Sequence, residues 1–448
     1  MNLVERILAR ASGRRTVSPG DVVFAKVDKA MLHDVSGPGV MKVFDRISSH
    51  GISTDRLWDP DRVWVAEDHF VPSAEKISAE NIARLAEFTR RYGIRNHFKY
   101  GMGQYGICHT ISHEEAMVMP GDVYVGGDSH TNTSGALGAF ACGLGHTDMA
   151  YVLLNGEIWF KVPETAYFRL NGRLPGHVMA KDLILHIIGR IGTDGGAYKA
   201  MQFGGTGVSA MSVEGRLTLC NMTTEAGAKC GIVRPDHKTA EYLGRKGAPG
   251  ISLTRDGIDY SEPDGPDSDY AEVHELEASE MEPVVAEPFS PANVKPVREA
   301  PSVELDKSYI GSCTGAKYED LEAAARILKG RKVKIRTEVL PAAISIYRRA
   351  MDSGLLRIFL DAGATVGPPT CGACCGAHMG VLGKGEICIS TTNRNFPGRM
   401  GHVESETYLA SPMVAAASAV TGRITDPRDV SAAAAASAAP AAGTVSAA

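Results

Sequence analysis

The sequence predicts an α/β fold, because segments with helical and with strand-type hydrophobic spacing alternate along it. Apolar side chains recur at helical spacing and stop at a glycine in residues 76–94, KISAENIARLAEFTRRYGI. A second helix is predicted for residues 318–333, YEDLEAAARILKGRKV, and a strand for the VKIRTEVLP that overlaps its end. Small residues dominate residues 134–154, SGALGAFACGLGHTDMAYVLL, and predict a closely packed helix there.

The amino-acid composition limits the classes of protein to which this chain can belong. Hydrophobic residues make up 44% and charged residues 22% of the 448 residues, as in ordinary globular proteins. The net charge of -5 gives no reason to expect nucleic acid, and no apolar run approaches the roughly 20 residues of a membrane span. The amphipathic start, MNLVERILARASGRR, contains Glu5 and lacks the apolar centre of a signal peptide. Nine scattered cysteines argue against a disulfide framework, so we expect a reducing cytoplasm.

A chain of this length predicts about three domains. We expect α/β domains over residues 1–165, 166–295 and 296–428. Residues 255–297 are acidic and rich in proline and serine, which predicts a connection with short strands. Residues 429–448 are mostly alanine and lack bulky side chains, which predicts disorder.

Three cysteines lie in two glycine-rich turns. Cys313 stands in YIGSCTGAKYEDLEAA, between a strand end and a helix start, where a thiolate is favoured. Cys371 and Cys374 form a CxxC pair in the second turn. Their spacing is compatible with a zinc site, with His378 as fourth ligand, and equally with an iron–sulfur cluster. Cys375 directly follows Cys374, so we expect its side chain to point away and pack.

Acidic residues stand beside imidazoles at three places before residue 135. Asp68 and His69 follow one short apolar strand, and Asp128 and His130 follow another. His109 lies between these two pairs in the sequence. An adjacent carboxylate orients an imidazole and raises its basicity. One such element is more often structural, but three of them before residue 135, two at strand ends, predict an active site of an α/β fold.

Two arginines follow the cysteine turn in TTNRNFPGR, at Arg394 and Arg399. They could form surface ion pairs, but beside a metal site their guanidinium groups suit bidentate binding of substrate carboxylates. Glu225 lies in another turn, LCNMTTEAGAKCG, after a cysteine–asparagine pair.

Four motifs together resemble the aconitase superfamily, most of all the family of 3-isopropylmalate dehydratase large subunits and homoaconitase-like relatives. The motifs are GGDSHTNTSGALGAFACGLGHTDMA, CNMTTEAGAKCG, IGSCTG and STTNRNFPGRMG. The resemblance extends over nearly the whole chain, to about residue 425. It implies three α/β/α domains around one [4Fe–4S] cluster per subunit.

The resemblance also implies roles for individual residues. The implied cluster ligands, which leave one iron open as a Lewis acid, are Cys313, Cys371 and Cys374. The implied acid–imidazole pairs are Asp68 with His69 and His109 with Asp128. The groups expected beside the open iron are His130 and Glu225. The asparagines expected to line the cluster are Asn221 and Asn393. The implied substrate-carboxylate ligands are Arg394 and Arg399. A further strand-end pair expected in the active site is His33 with Asp34.

Two residues depart from the family pattern and alter the cluster's expected surroundings. Gly315 stands where the family has an asparagine, and Cys375 stands where it has an apolar residue. Neither removes a cluster ligand, but both bear on the choice of substrate.

The resemblance implies a partner. The sequence stops before the swivelling fourth domain of aconitases, which two-subunit relatives carry on a separate small subunit. We therefore expect a heterodimer or heterotetramer that acts on a small di- or tricarboxylic hydroxy acid, without nucleic acid or membrane.

The expected function is the catalytic part of a hydro-lyase that isomerises 2-isopropylmalate to 3-isopropylmalate in leucine biosynthesis. Homoaconitate, citramalate and 2,3-dimethylmalate are alternative substrates. An iron-sensing RNA-binding relative is disfavoured because neither a fourth domain nor a basic cleft is visible. A zinc-stabilised scaffold is disfavoured by the acid–imidazole pairs.

Overall fold

A computed structural model describes residues 1–430 and contains three main sheets. The first is fully parallel. Its strands, in spatial order, are Asn96–Phe98, Val63–Ala66, Lys29–His33, Val123–Gly126 and Phe140–Gly143. The three central strands are buried almost throughout, as expected for a parallel sheet covered on both faces. Their carboxyl ends lie at one edge, so the residues that follow them meet there.

The second sheet is also parallel. Its strands, in spatial order, are Cys230–Val233, Ala200–Gly204, Thr165–Asn171 and Glu272–Glu277. The helix Ala180–Ile191 follows the strand Thr165–Asn171 and packs on the helix Val213–Asn221 and on the strand Val284–Ala286. It therefore connects the second sheet to the third.

The third sheet has seven strands and carries the predicted cysteine ligands on its connections. Its strands, in spatial order, are Val294–Pro296, Val284–Ala286, Glu406–Ala410, Ile387–Ser390, Lys307–Ile310, Arg336–Val339 and Thr365–Val366. The first two strands are antiparallel to their neighbours, and the others are parallel. Cys313 follows one central strand and Asn393 follows the next, so both lie at the carboxyl edge of this sheet.

Helices cover the sheets. The α-helices are Leu3–Ser12, Ser36–Ser49, Lys76–Arg91, Cys108–Glu114, His146–Asn155, Ala180–Ile191, Thr206–Ala210, Val213–Asn221, His237–Arg245, Tyr318–Leu328, Ile344–Asp352, Leu355–Ala362 and Pro412–Thr421. Two small antiparallel ribbons pair Val22–Lys26 with Glu157–Lys161 and Thr254–Arg255 with Ile258–Asp259. Within residues 1–430, no helix combines the length and the apolar character needed to cross a bilayer.

One hydrophobic core runs through all three sheets. It includes Trp64 of the first, Phe168 of the second and Ile389 of the third, each at most 2% exposed. A second cluster fills the other side of the first sheet, around Phe140. Because interiors of this kind pack at crystal-like density, the sheets are fixed relative to one another.

The structure agrees with the predicted helices at Lys76–Arg91 and Tyr318–Leu328 and with the strand Arg336–Val339. The prediction of one helix for residues 134–154 is wrong: this segment contains the end of a 3₁₀ turn, a strand and then a helix. Close backbone packing explains the glycines, because a Cβ at Gly135 would lie 1.7 Å from the Gly231 carbonyl oxygen.

The proposed domain division remains a prediction. The second sheet begins at residue 165, but strands from residue 284 onward already pair within the third sheet. In the predicted alanine-rich tail, residues from 431 onward lie outside the described part of the chain.

Candidate active site

The Asp68–His69 pair lies at the carboxyl edge of the first sheet. His69 Nδ1 donates to Asp68 Oδ1 at 2.8 Å, and the Cys108 backbone N–H donates to Asp68 Oδ2 at 2.6 Å. Asp34 accepts the backbone N–H groups of His69 at 3.0 Å and Phe70 at 2.7 Å. Burial alone would lower the pKa of His69, but the Asp68 carboxylate raises it well above its usual value. The pair therefore holds a proton on His69.

His33 stacks on His69 with ring centroids 4.4 Å apart. Its Nδ1 accepts the Val35 backbone N–H at 3.1 Å, so the neutral ring carries its hydrogen on Nε2. Burial, together with the neighbouring His69, lowers the pKa of His33 to about 4. His33 is therefore a neutral donor whose Nε2 lies 3.6 Å from Asp128 Oδ2.

Asp128 connects His109 and His130. Its Oδ1 accepts from His109 Nε2 at 2.8 Å and from the backbone N–H of His130 at 2.7 Å. Burial alone would raise the pKa of Asp128, but His109 and His130 lower it well below its usual value. Asp128 is therefore ionised and orients the ring of His109.

Glu225 comes from the second sheet's side of the site. Its Oε1 accepts from His130 Nε2 at 3.0 Å and from Arg394 Nε at 2.6 Å. Arg394 also donates to Ser129 Oγ at 2.9 Å, so two of its nitrogens are already engaged within the chain. Glu225 Oε2 is buried and has no hydrogen-bond partner among the described residues.

The three predicted cluster ligands are free, buried thiols that line one cavity. The sulfurs of Cys313 and Cys374 each lie 3.9 Å from Asn393 Oδ1. Asn221 Nδ2 donates to Cys313 Sγ at 3.1 Å. The predicted asparagines thus contact the sulfur atoms directly.

These thiols suit a bound metal centre. Burial and the nearby Cys374 raise the pKa of the Cys313 thiol to about 12, and burial raises that of the Cys371 thiol well above its usual value. Metal binding displaces thiol protons and compensates the charge that burial disfavours. His378 does not line this cavity, and its Nε2 lies 3.1 Å from Thr370 Oγ1. The donor set around the thiols therefore favours an iron–sulfur cluster over the alternative Cys₃His zinc site.

Cys375 does not point away, as predicted, but lines the same cavity as Cys374. The two cysteines end the 3₁₀ turn Gly372–Cys375, and the cavity extends around the end of that turn. Burial raises the pKa of the Cys375 thiol, and the neighbouring His69 acts in the opposite direction. Cys375 therefore borders the space for substrate.

Arg399 also lines this cavity, and its Nε is buried without a partner among residues 1–430. Its guanidinium group interacts with Cys374, whereas that of Arg394 is held by Glu225 and Ser129. Of the two predicted carboxylate ligands, Arg399 is thus the one without a carboxylate partner among residues 1–430.

The cavity has a volume of about 530 Å³. Predicted site residues that line it are His33, His69, His109, Asp128, His130, Cys313, Cys371, Cys374, Asn393, Arg394 and Arg399. Predicted site residues that lie behind this lining are Asp34, Asp68, Asn221 and Glu225. The structure thus brings the whole predicted set together, although the role of each residue remains a prediction.

Sequence reasoning missed two residues of this site. Ser129 was overlooked between Asp128 and His130, although its place in the strand-end motif was a usable signal. Lys181, whose ammonium contacts the loops that follow two strands of the third sheet, had no signal, because a lysine near a helix start is usually exposed.

Comparison with known proteins identifies the class. The model of the aconitase family (aconitate hydratase) matches residues 5–304 and 299–422. The chain belongs to the aconitase family, whose members are iron–sulfur enzymes, and it is a hydro-lyase.

The particular relatives are large subunits of 3-isopropylmalate dehydratase. Those from Heliobacterium modesticaldum and Aquifex aeolicus are 47% and 46% identical to this chain, over 96% of it and 99% and 98% of their own lengths. One from Methanopyrus kandleri is 48% identical over 95% of this chain and 98% of its own length. The predicted family and enzyme class are confirmed.

A holo-form structure of Thermococcus kodakaraensis aconitase X aligns with a TM-score of 0.49 and 13% identity, covering 83% of this chain and 84% of that one.

Proposed function

We propose that this chain, together with a separate small subunit, interconverts 2-isopropylmalate and 3-isopropylmalate in leucine biosynthesis. The observation that carries the proposal is the meeting of three buried thiols, three acid-paired imidazoles and Arg399 in one cavity. Relatives that share 45–48% of its residues are named for this enzyme. Nine free cysteines support a reducing, cytoplasmic location.

The proposed cofactor is one [4Fe–4S] cluster per chain, held by Cys313, Cys371 and Cys374. When bound, it supplies a Lewis-acidic iron that polarises the substrate's hydroxyl group. Three protein thiolates leave one iron of the four without a cysteine ligand.

Dehydration breaks the C–O bond at one carbon and the C–H bond at its neighbour, which forms a C=C bond and water. Rehydration adds hydrogen and hydroxyl in the opposite sense. His69 holds a proton at the cavity and is suited to protonate the leaving hydroxyl, while Asp68 keeps the ring oriented. Arg399 is suited to hold a substrate carboxylate, because it lines the cavity and forms no ion pair with a carboxylate among residues 1–430.

The small subunit is proposed to supply the base that removes the C–H proton and further groups for the carboxylates. The large-subunit names of the relatives support a two-chain enzyme. Heterodimer and heterotetramer are both compatible with this proposal.

The test is anaerobic reconstitution with iron and sulfide, with and without the co-expressed small subunit. Formation of the C=C bond from 2-isopropylmalate is followed by ultraviolet absorbance, with citramalate and homoaconitate as competing substrates. We expect turnover only from the pair and fastest with 2-isopropylmalate. Full activity of the lone chain, or a clear preference for another acid, contradicts the proposal.

A further inference from the structure

Lys181 is almost completely buried beside the cluster-binding loops. It lies in the first turn of the helix Ala180–Ile191, and its side chain is 1% exposed. Its ammonium donates to Thr314 Oγ1 at 3.0 Å, to the Thr391 carbonyl at 2.9 Å and to the Thr392 carbonyl at 2.6 Å. All three hydrogens of the ammonium are therefore used on neutral acceptors.

The charge of Lys181 has no carboxylate partner among residues 1–430. The other two buried lysines both have one: Lys307 lies 3.0 Å from Glu338, and Lys317 lies 2.6 Å from Asp320. An unpaired buried charge is costly, and proteins normally compensate it with an opposite charge. A nearby anion is therefore needed to explain this lysine.

The cysteine sulfurs can supply this anion, and they act on Lys181 more strongly than the Glu225 carboxylate does. Burial lowers the pKa of Lys181 to about 8, and the nearby Cys313 and Cys374 act in the opposite direction. As free thiols these cysteines are neutral, but as metal ligands they are thiolates. Lys181 does not line the substrate cavity, but its ammonium bonds to Thr314, which directly follows Cys313.

The same ammonium also joins the two loops that carry the cluster's neighbours. Thr314 follows Cys313, and its Oγ1 lies 3.3 Å from Asn393 Oδ1. Ser312, on the other side of Cys313, has a left-handed φ of 74°, which a non-glycine residue adopts only when its surroundings enforce it. The contacts from Lys181 help to hold this backbone and thus the direction of the Cys313 side chain.

We propose that Lys181 is a positioning residue whose fixed positive charge balances the thiolates of the bound cluster and sets its reduction potential. This inference rests on the cluster of the proposed function. The helix Ala180–Ile191 would thus influence the cofactor site through Lys181, although it contributes no cluster ligand.

The test compares Lys181→Met with Lys307→Met, a buried lysine that is paired elsewhere. After anaerobic reconstitution, iron is counted, and the one-electron reduction of the cluster by dithionite is titrated and followed by electron paramagnetic resonance. Removing a positive charge disfavours the more negative reduced cluster. We expect Lys181→Met to lower the equilibrium constant for cluster reduction at least tenfold, which corresponds to a reduction potential lower by about 59 mV. In Lys181→Arg, which keeps the charge, and in Lys307→Met, the reduction potential should change by less than half of that amount.

Stability provides a second measurement. The melting temperature is compared with and without the cluster, since the lysine's cost is compensated only when thiolates are present. We expect the gain in melting temperature on cluster binding to shrink in Lys181→Met and in Lys181→Gln, but not in Lys307→Met.

Three outcomes have distinct meanings. A wild-type chain without iron and sulfide overturns the proposed cofactor and this inference with it. A loaded Lys181→Met chain with the wild-type potential overturns this inference alone. If both charge-free variants are unfolded even without the cluster, Lys181 is a structural clamp, and the inference is also overturned.

Discussion

Single residues in this cavity differ sharply in what they contribute, even when they are adjacent in sequence. Cys374 lies against Asn393, whereas Cys375 borders the open space near His69. The strand-end positions of His69 and Asp128 made their meeting predictable from sequence. The orientation of Cys375 was not predictable, because it depends on how a 3₁₀ turn meets a cavity formed by other elements.

The adjacent cysteines provide a matched pair of variants. Cys374→Ser should abolish the cluster, because one of three ligands is lost. Cys375→Ser should keep about four irons per chain. Iron and sulfide analysis after anaerobic reconstitution measures this. Equal iron loss in both variants would contradict the assignment of ligands.

Arg399→Lys should weaken substrate binding while leaving the iron content unchanged. Lysine keeps the charge but loses the fork that matches a carboxylate. A hydrogen bond to a charged group is worth about 1.5–3 kcal/mol, so we expect roughly a tenfold to hundredfold rise in KM. Arg95→Lys, in an exposed pair with Asp61, is the control and should change nothing. Wild-type KM with a full cluster would show that Arg399 is structural.

His69→Ala should reduce turnover more than affinity. An oriented imidazole that transfers a proton contributes about 10²–10⁴ in rate. Iron must be counted first, because cluster loss would mimic this effect. Separate determination of kcat and KM distinguishes the roles, and a change confined to KM would refute proton transfer by His69.

At the scale of elements, glycines allow the 3₁₀ turn Ser129–Leu137 to approach the strand Cys230–Val233. Small residues at close spacing suit both helix packing and close contact with a sheet. The sequence pattern alone was therefore compatible with the helix that we predicted here. The contact that decides between them is between segments distant in sequence. Lys181 escaped prediction for the same reason, since its partners lie on loops after residue 310.

Gly135→Ala should destabilise the protein, because the added methyl group would overlap the Gly231 carbonyl. We expect a loss of about 1–3 kcal/mol or more, measured as a lower melting temperature. Gly145→Ala is the matched control: nothing lies within 4 Å of its Cβ position. Similar melting temperatures for the two variants would contradict the close approach of these segments.

At the scale of the whole molecule, Glu114 connects three parts of the chain. Its carboxylate pairs with Lys246, lies 3.4 Å from the Tyr242 hydroxyl and accepts from Ser345 Oγ at 2.6 Å. Burial alone would raise the pKa of Glu114, but His113 and Lys246 lower it below its usual value. Its charge therefore stabilises the fold at neutral pH.

Glu114→Gln should lower the free energy of unfolding by about 1.5–3 kcal/mol at pH 7. Because the folded pKa is depressed, this contribution is present above the unfolded pKa of about 4.3 and disappears as pH falls through the folded value. The difference in melting temperature between wild type and variant should thus persist from pH 7 down to about pH 4.3 and shrink only as the pH falls further. Glu241→Gln, in an exposed pair with Arg245, should differ by less than about 0.5 kcal/mol throughout. A pH-independent difference would contradict the role of the charge.

The core that runs through all three sheets has a consequence for gating. Side chains from all three sheets pack in this one core, and this dense packing opposes motion of the sheets relative to one another. In the proposed two-chain enzyme, access of substrate to the cavity would then depend on how the small subunit covers it. In such an enzyme, the rate of substrate exchange is a property of the complex, and changes in the smaller chain can retune it without disturbing the cofactor site.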